Sequence, residues 1–451
     1  APAFDKNYGT FTEIIDGSPM TVHRIKSYKL PQHKTLRWIW PFNLQSKTAK
    51  ILREVQPDAV HIQSHLIMGR ALVNSAKRQG IRVLATNHIM PENLIKYSVI
   101  IPSFLEKTAM KLAWADAGRI LKKVDFVTTP TRRAAELLEA AAGVKDVLAI
   151  SCGIDASKFA NTTPTSNAQP RVLFLGRLDY EKHIHNLLKA VAMLPKSLGT
   201  QVEIVGDGGE REYLQNLAVE LGISKNVHFL GHVSENELPL AYERATVFAM
   251  PSIAELQSIA TMEAMASGRP VVAADAMALP HLVHDGDNGY LFQPDDVVEF
   301  SEKLKAVLTA SPEELERLSE NSLHLIQAHD IERTITIFEG LYRGEGFSTA
   351  TSDDNSDDYS KPIGLLSPAL HNRVLALRER AAALRESAQE FRERAEDARE
   401  EVIEKLSDLR DEALERTKAV NTRVKKSAKK TARKAKSAVN RATELLKGDE
   451  D

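Results

Sequence analysis

One pattern constrains this chain more than any other. A short apolar run, a turn and a longer amphipathic stretch follow one another repeatedly. "AVHIQ" (59–63), "IRVLATN" (81–87), "DFVTTP" (125–130) and "DVLAIS" (146–151) are such runs. Alternation of this kind argues for a parallel sheet covered by helices. The pattern pauses at "NTTPTSNAQP" (161–170), a polar stretch rich in Thr, Asn and Pro that reads as an interdomain linker. It restarts with "RVLFLG" (171–176), "VEIVGD" (202–207), "NVHFLG" (226–231), "TVFAMP" (246–251) and "PVVAAD" (270–275), each followed by a helix candidate. With 451 residues the chain is too long for a single core. The expectation is an α/β protein with two doubly wound units, one over 1–160 and one over 171–346.

Composition narrows the setting. The net charge of -2 gives no global steering toward nucleic acid or membrane. Cys152 is the one cysteine, so no intramolecular disulfide can form and a reducing compartment is expected. No apolar run reaches the roughly 18 residues needed to span a bilayer, and the N-terminus has no secretory pattern. The average charge hides a segregated tail. An acidic, polar stretch over 347–372 reads as a disordered linker. Residues 373–415 then hold nine Arg/Lys against thirteen Asp/Glu, with a heptad-like stripe from Leu377 to Val402. Residues 416–447 reverse the sign, with twelve Arg/Lys against Glu444 alone, a net of +11. The segment 373–451 is expected to be a charged helical or disordered tail.

Candidate chemistry collects after the strands of the second unit. Gly176 allows a sharp turn, and Arg177 and Lys182 follow it, beyond the carboxyl end of a strand where open α/β sheets bind ligands. A guanidinium and an ammonium suit a diphosphate that must be held and stabilised as it leaves; alone, the pair could equally be solvated surface charge. "VGDGGERE" (205–212) is a Gly-rich turn without the full dinucleotide spacing. In "SIAELQSIATMEAMASGRPVVAAD" (252–275), Glu255 lies in a loop and Glu263 on the next helix. Backbone N–H groups from Leu256 to Ile259 would sit at that helix's start, a natural phosphate or hydroxyl site. Glu263, between Met262 and Met265, is expected to be buried and partnered. In the first unit His61, His65 and His88 fall near strand ends, which is more often a structural position. They lack metal-ligand spacing, and no metal is assigned.

The set "GRLDYEK", "VGDGGERE", "FLGHVSENEL", "PSIAELQSIATMEAMASGRPVVAAD" and "GDNGYLF", in order along 171–295, resembles the donor half of the retaining GT-B glycosyltransferases of family four. The resemblance implies a GT-B fold, two Rossmann-like domains facing a cleft. It implies that Arg177 and Lys182 hold a diphosphate, that Glu255 contacts the transferred sugar and Glu263 the ribose. Gly176 and the amides of Gln257, Ser258 and Ile259 would complete the donor site. His88 would lie close to the donor sugar. "TNHIMPENL" resembles enzymes that glycosylate diacylglycerol or a glycosyl-diacylglycerol, which places Glu92 and Asn93 on the acceptor side. One departure stands out: Leu256-Gln257-Ser258 replaces the family's usual Gly-Phe-Gly. The start at "APAFDKNYGTF" matches family members only after their first strand and Gly-rich loop, so both are expected to be missing.

The expected activity is transfer of a hexose from UDP-glucose or GDP-mannose to a lipid acceptor, with retention, needing no cofactor beyond the donor. An inactive scaffold working through the basic tail is the alternative. The expected location is cytoplasmic, peripheral at the inner membrane face. Residues 416–447 would meet an anionic membrane surface; nucleic acid is not the expected partner. "TLRWIWPF" (35–42) is read first as core packing and second as an acyl-chain contact. The basic, Trp114-bearing stretch 97–124 is either an interfacial helix or an ordinary core-facing one.

Overall fold

The structure, a computed structural model, describes residues 8–15, 17–29, 37–88, 105–159, 169–345, 429–433 and 435–437. Two small antiparallel pairs come first: β1 (Gly9–Ile15) with β2 (Ser18–Arg24), and β3 (Tyr28–Lys29) with β4 (Arg37–Trp38). Then follow α1 (Leu44–Val55), β5 (Ala59–Ile62), α2 (Ile67–Arg78), β6 (Arg82–Thr86), α3 (Glu106–Leu121), β7 (Phe126–Thr129), α4 (Arg132–Ala142) and β8 (Leu148–Ala149). Strands β5 to β8 pair in chain order and in parallel, with Val60 opposite Val83 and Leu84 opposite Phe126. Val83, Ala85 and Val127 pack against Val73, Ala76, Ile120 and Leu138 from the helices. The apolar run at 146–151 yields only a two-residue strand. Asp146 sits at φ 55°, a left-handed backbone that an extended strand does not accommodate.

The second sheet has six parallel strands: β9 (Arg171–Leu175), β10 (Gln201–Val205), β11 (Val227–Gly231), β12 (Val247–Met250), β13 (Val271–Ala274) and β14 (Gly289–Phe292). Between them lie α5 (Ile184–Ala192), α6 (Arg211–Glu220), α7 (Leu238–Arg244) and α8 (Ile259–Ala266), and after them α9 (Val297–Leu308) and α10 (Pro312–Ile326). The spatial order is β11-β10-β9-β12-β13-β14. The chain moves outward from β9 on one side, then returns to place β12 on the other. Strands β9, β12 and β13 are buried almost throughout, as covered parallel strands require. Polar side chains cap the starts of α8 and α9. Ser258 accepts from Thr261 N at 3.3 Å ahead of α8, and Asp296 from Glu299 N at 2.9 Å ahead of α9.

A last helix, α11 (Ile331–Arg343), crosses back to the first sheet. Leu341, fully buried, joins Leu84 and Ile150, and Phe338 and Tyr342 pack beside them. The stretch 171–346 thus ends on the partner sheet. Trp40 and Phe42 stack on each other at 6.0 Å and are exposed, Phe42 at 76%, so these two rings do not take the core role expected of them. Trp114 is buried against the first sheet, so α3 is a core-facing helix there. Residues 429–433 and 435–437, in a separate unit, are helical and exposed. The Leu377–Val402 stripe, the segment 347–372 and residues 161–168 lie outside the described residues. Among the described residues no helix is long and apolar enough to cross a membrane.

Candidate active site

The strand order turns around between β9 and β12, and the loops leaving their carboxyl ends lie side by side. Such a switch point leaves a crevice in open α/β sheets. Ile253 N donates to Glu181 O at 3.1 Å and Ser252 Oγ to the same carbonyl at 3.3 Å, so the two loops are stitched together. The turn after β10 presses in from the other side. A Cβ on Gly206 would meet Gly176 O at 1.9 Å, and one on Gly208 would meet Leu178 O at 2.4 Å. Only glycine fits at either position.

Lys182 and Glu255 meet at this seam as an ion pair. Glu255 is 8% exposed, and its carbonyl accepts from Ala278 N at 3.1 Å. Arg177 follows Gly176 and pairs with Asp179 and, at 3.1 Å, with Glu181. Its side chain is 65% exposed, reaching outward from the same turn. Two cationic groups and three carboxylates therefore gather at this switch point, paired with one another.

Glu263 is half-buried on α8 and faces Tyr242 of α7. The Tyr242 hydroxyl lies 2.8 Å from Glu263 Oε2 and 3.0 Å from Ala260 O. Burial raises the Glu263 pKa, and the phenol contact opposes that rise in part. Burial, reinforced by the Glu263 charge, pushes Tyr242 well above its ordinary value, so the phenol keeps its proton. Glu263 is thus partnered, as expected, though its partner comes from another helix and not from the Lys182–Glu255 seam.

The departure at 256–258 has a structural use. Gln257 Nε2 donates to Ser151 Oγ at 2.9 Å, and its Oε1 accepts from Cys152 N at 2.8 Å. Leu256 O accepts from Thr131 Oγ1 at 3.0 Å. Ser151 Oγ also contacts His329 Nδ1 at 2.9 Å. The Gln257 side chain therefore turns toward the crossing between the two sheets. Ser258 caps α8, and Ile259 opens it and is exposed.

In the first unit His88 follows β6, exposed at its rim, with Nε2 2.8 Å from Gln63 Oε1; desolvation lowers its pKa. Glu92 and Asn93 lie outside the described residues. His61 is structural: its nitrogens contact Thr86 Oγ1 at 2.6 Å and Tyr342 Oη at 2.8 Å, and burial pushes it down to about 4. His65 is buried.

The description "Glycosyltransferase Family 4" matches residues 5–158, and "Glycosyl transferases group 1" matches residues 156–324. Together they span 5–324 of the 451 residues, well over half. The chain belongs to the family-4 glycosyltransferases. Sulfoquinovosyl transferase SQD2 of Arabidopsis thaliana is 27% identical over 277 residues, 57% of this chain and 52% of that one. The chain thus spans about half the length of this plant relative. Alpha-monoglucosyldiacylglycerol synthase of Acholeplasma laidlawii is 25% identical over 317 residues, 67% of this chain and 79% of that one. Among solved structures, sucrose-phosphate synthase of Thermosynechococcus elongatus superposes with a TM-score of 0.60 at 22% identity, covering 75% of this chain and 86% of that chain. The fold is GT-B.

Several residues around this candidate site were not foreseen. Tyr242 gave no signal, because a tyrosine on a short helix carries no spacing that names its partner. Ser151 and His329 come from segments 178 residues apart. His183 and His185 of "EKHIHNLL" were not singled out in the sequence, and nothing in it joins them to Asp295, with which they cluster.

Proposed function

We propose that this family-4 glycosyltransferase moves a hexose from a nucleotide sugar, UDP-glucose or GDP-mannose, to a lipid acceptor with retention of configuration. The Lys182–Glu255 pair at the switch point carries this reading. A pair closed on itself is poised to exchange partners. An incoming diphosphate takes Lys182 and the nearby Arg177, and Glu255 is released to accept hydrogen bonds from sugar hydroxyls. As the bond from the anomeric carbon to the phosphate oxygen breaks, the two cations meet the charge left on the diphosphate. The acceptor hydroxyl forms the new bond on the same face and passes its proton to the departing phosphate oxygen. Charge is balanced by these side chains, and no cofactor beyond the donor takes part. Glu263 binds the ribose, with Tyr242 holding it in place. The amides from Gln257 to Ile259 and the turn at Gly176 line the donor.

The acceptor is diacylglycerol or a glycosyl-diacylglycerol. Support comes from the likeness to the Acholeplasma synthase, which covers 67% of this chain, and from the sequence "TNHIMPENL", which carries His88, Glu92 and Asn93. The enzyme works as a peripheral protein at the inner membrane face. Lys107, Lys111, Arg119 and Lys122 line one groove between α3 and α4, and residues 416–447 add a basic segment, both suited to anionic headgroups. The test is radiolabelled transfer from a panel of nucleotide sugars into a lipid extract. Lys182→Ala and Glu255→Ala should each lower turnover by about 10²–10³-fold, the usual loss for a charge-stabilising group, with circular dichroism unchanged. Full turnover in both variants refutes the site. No transfer from any donor, together with retained vesicle binding, favours the scaffold alternative.

A further inference from the structure

Beside the seam lies a second cluster that the transfer reading does not use. His183 directly follows Lys182 and caps α5 with a left-handed backbone, φ 47° and ψ 34°. His185 stands two residues on, in the first turn. Asp295 comes from the loop ahead of α9, more than a hundred residues later in sequence. One nitrogen of each imidazole and one oxygen of Asp295 lie within 4.8 Å of one another. We propose that His183, His185 and Asp295 form a binding site for a divalent metal of the zinc class.

The surroundings fit. His183 is buried, and its Nδ1 is 2.9 Å from Asp295 Oδ1. Asn186, also buried, donates from Nδ2 to Asp295 Oδ1 at 2.9 Å. It orients the carboxylate as outer-shell partners orient metal ligands. Asn186 Nδ2 also comes within 3.5 Å of His183 Nδ1. The two imidazole centroids are 5.1 Å apart, and Tyr180 packs against both. His185 is half-buried and brings a second imidazole nitrogen to the cluster. Two nitrogens and one oxygen match zinc or cobalt, with a fourth position for water, and do not suit the oxygen-seeking Mg²⁺ or Ca²⁺. A metal here would tie α5 to α9 and stiffen the turn that carries Lys182.

The test uses the full chain after chelation and dialysis, titrated with CoCl2. One equivalent should bind with the visible d–d absorption of tetrahedral Co²⁺, and ZnCl2 should displace it. ZnCl2 should also raise the Tm. Both signals should vanish in His185→Ala, whose side chain is only half-buried, and in His183→Asn, since Asn tolerates the left-handed backbone. If His183→Asn fails to fold, His185→Ala decides. Absence of Co²⁺ absorption overturns the site. So does equal binding by His185→Ala, because the metal would then sit among others of the chain's 14 histidines. MgCl2 stabilising as well as ZnCl2 overturns the assignment to the zinc class.

Discussion

Glu263 shows how a single side chain is set by its surroundings. Burial raises its pKa and the Tyr242 hydroxyl only partly offsets this. A carboxyl whose folded value lies above its unfolded one favours the fold while protonated, and that contribution fades as pH rises through the folded value. Glu263→Gln keeps a hydrogen-bonding group opposite Tyr242 and removes the charge. The variant should therefore be more stable than the native chain near neutral pH, and the gap should close below the ordinary carboxyl value of 4.5. Urea midpoints at a series of pH values check this; a gap that does not change with pH refutes it. The same change should weaken donor binding if Glu263 holds a ribose. The sequence made Glu263 legible because charge between two methionines demands a partner. It did not make Tyr242 legible, since that partner is chosen by how α7 lies against α8. Arg177 and Lys182 were readable as a pair of cations after one strand. That Lys182 closes on Glu255 while Arg177 closes on Asp179 and Glu181 follows from the stitching of two loops, which only the fold supplies.

At the scale of elements, the seam made by α11 is the part the alternating pattern hid. An amphipathic helix announces that it must pack, not which sheet receives it. Leu341, Phe338 and Tyr342 find theirs across the molecule, on β6 and the start of the crossing. Two histidines mark that seam. His61 contacts Tyr342, and His329 contacts Ser151 next to Gln257. Burial pushes both down to about 4. In the unfolded chain they titrate near 6.5, so between these values the unfolded state takes up protons that the fold refuses. Stability should be full above pH 6.5 and fall as the pH drops toward 4, by about 1.4 kcal/mol per pH unit for each histidine once both are deep in that window. Unfolding free energies of the native chain and of His61→Gln over that range test it. The variant should lose close to half of the slope assigned to this pair, and an unchanged slope refutes the assignment. The strands themselves were far more readable. Nine apolar runs forecast nine strands of the two main sheets, and β14, whose Gly289 permits close approach to Val271, was concealed within a turn-like "GDNGYLF". The β1–β2 pair escaped notice because its residues are exposed, Ile14 at 70%, and show no buried face to give a pattern.

Over the whole molecule charge is segregated rather than absent. The net of -2 is the sum of a tail segment at +11 and a remainder at -13. On the proposed membrane role, a chain built this way would be repelled by an anionic surface on average and attracted to it through residues 416–447. Each Lys or Arg near such a surface contributes about 1 kcal/mol at physiological salt, so a few engaged residues of 416–447 outweigh the repulsion. The attraction acts within roughly 10 Å at 0.1 M salt and collapses as the screening length shrinks. Full-length protein should therefore sediment with vesicles rich in phosphatidylserine, release at high salt, and ignore neutral vesicles. A chain ending at residue 415 should lose most of this binding while keeping transfer to a short-chain, water-soluble acceptor. Should the shortened chain bind as well as the full one, the contact lies instead within residues 1–415, and the exposed Trp40–Phe42 pair and the groove of α3 and α4 become the first surfaces to mutate. Should it bind as weakly as expected but also lose transfer to the soluble acceptor, the tail does more than concentrate the enzyme at its substrate.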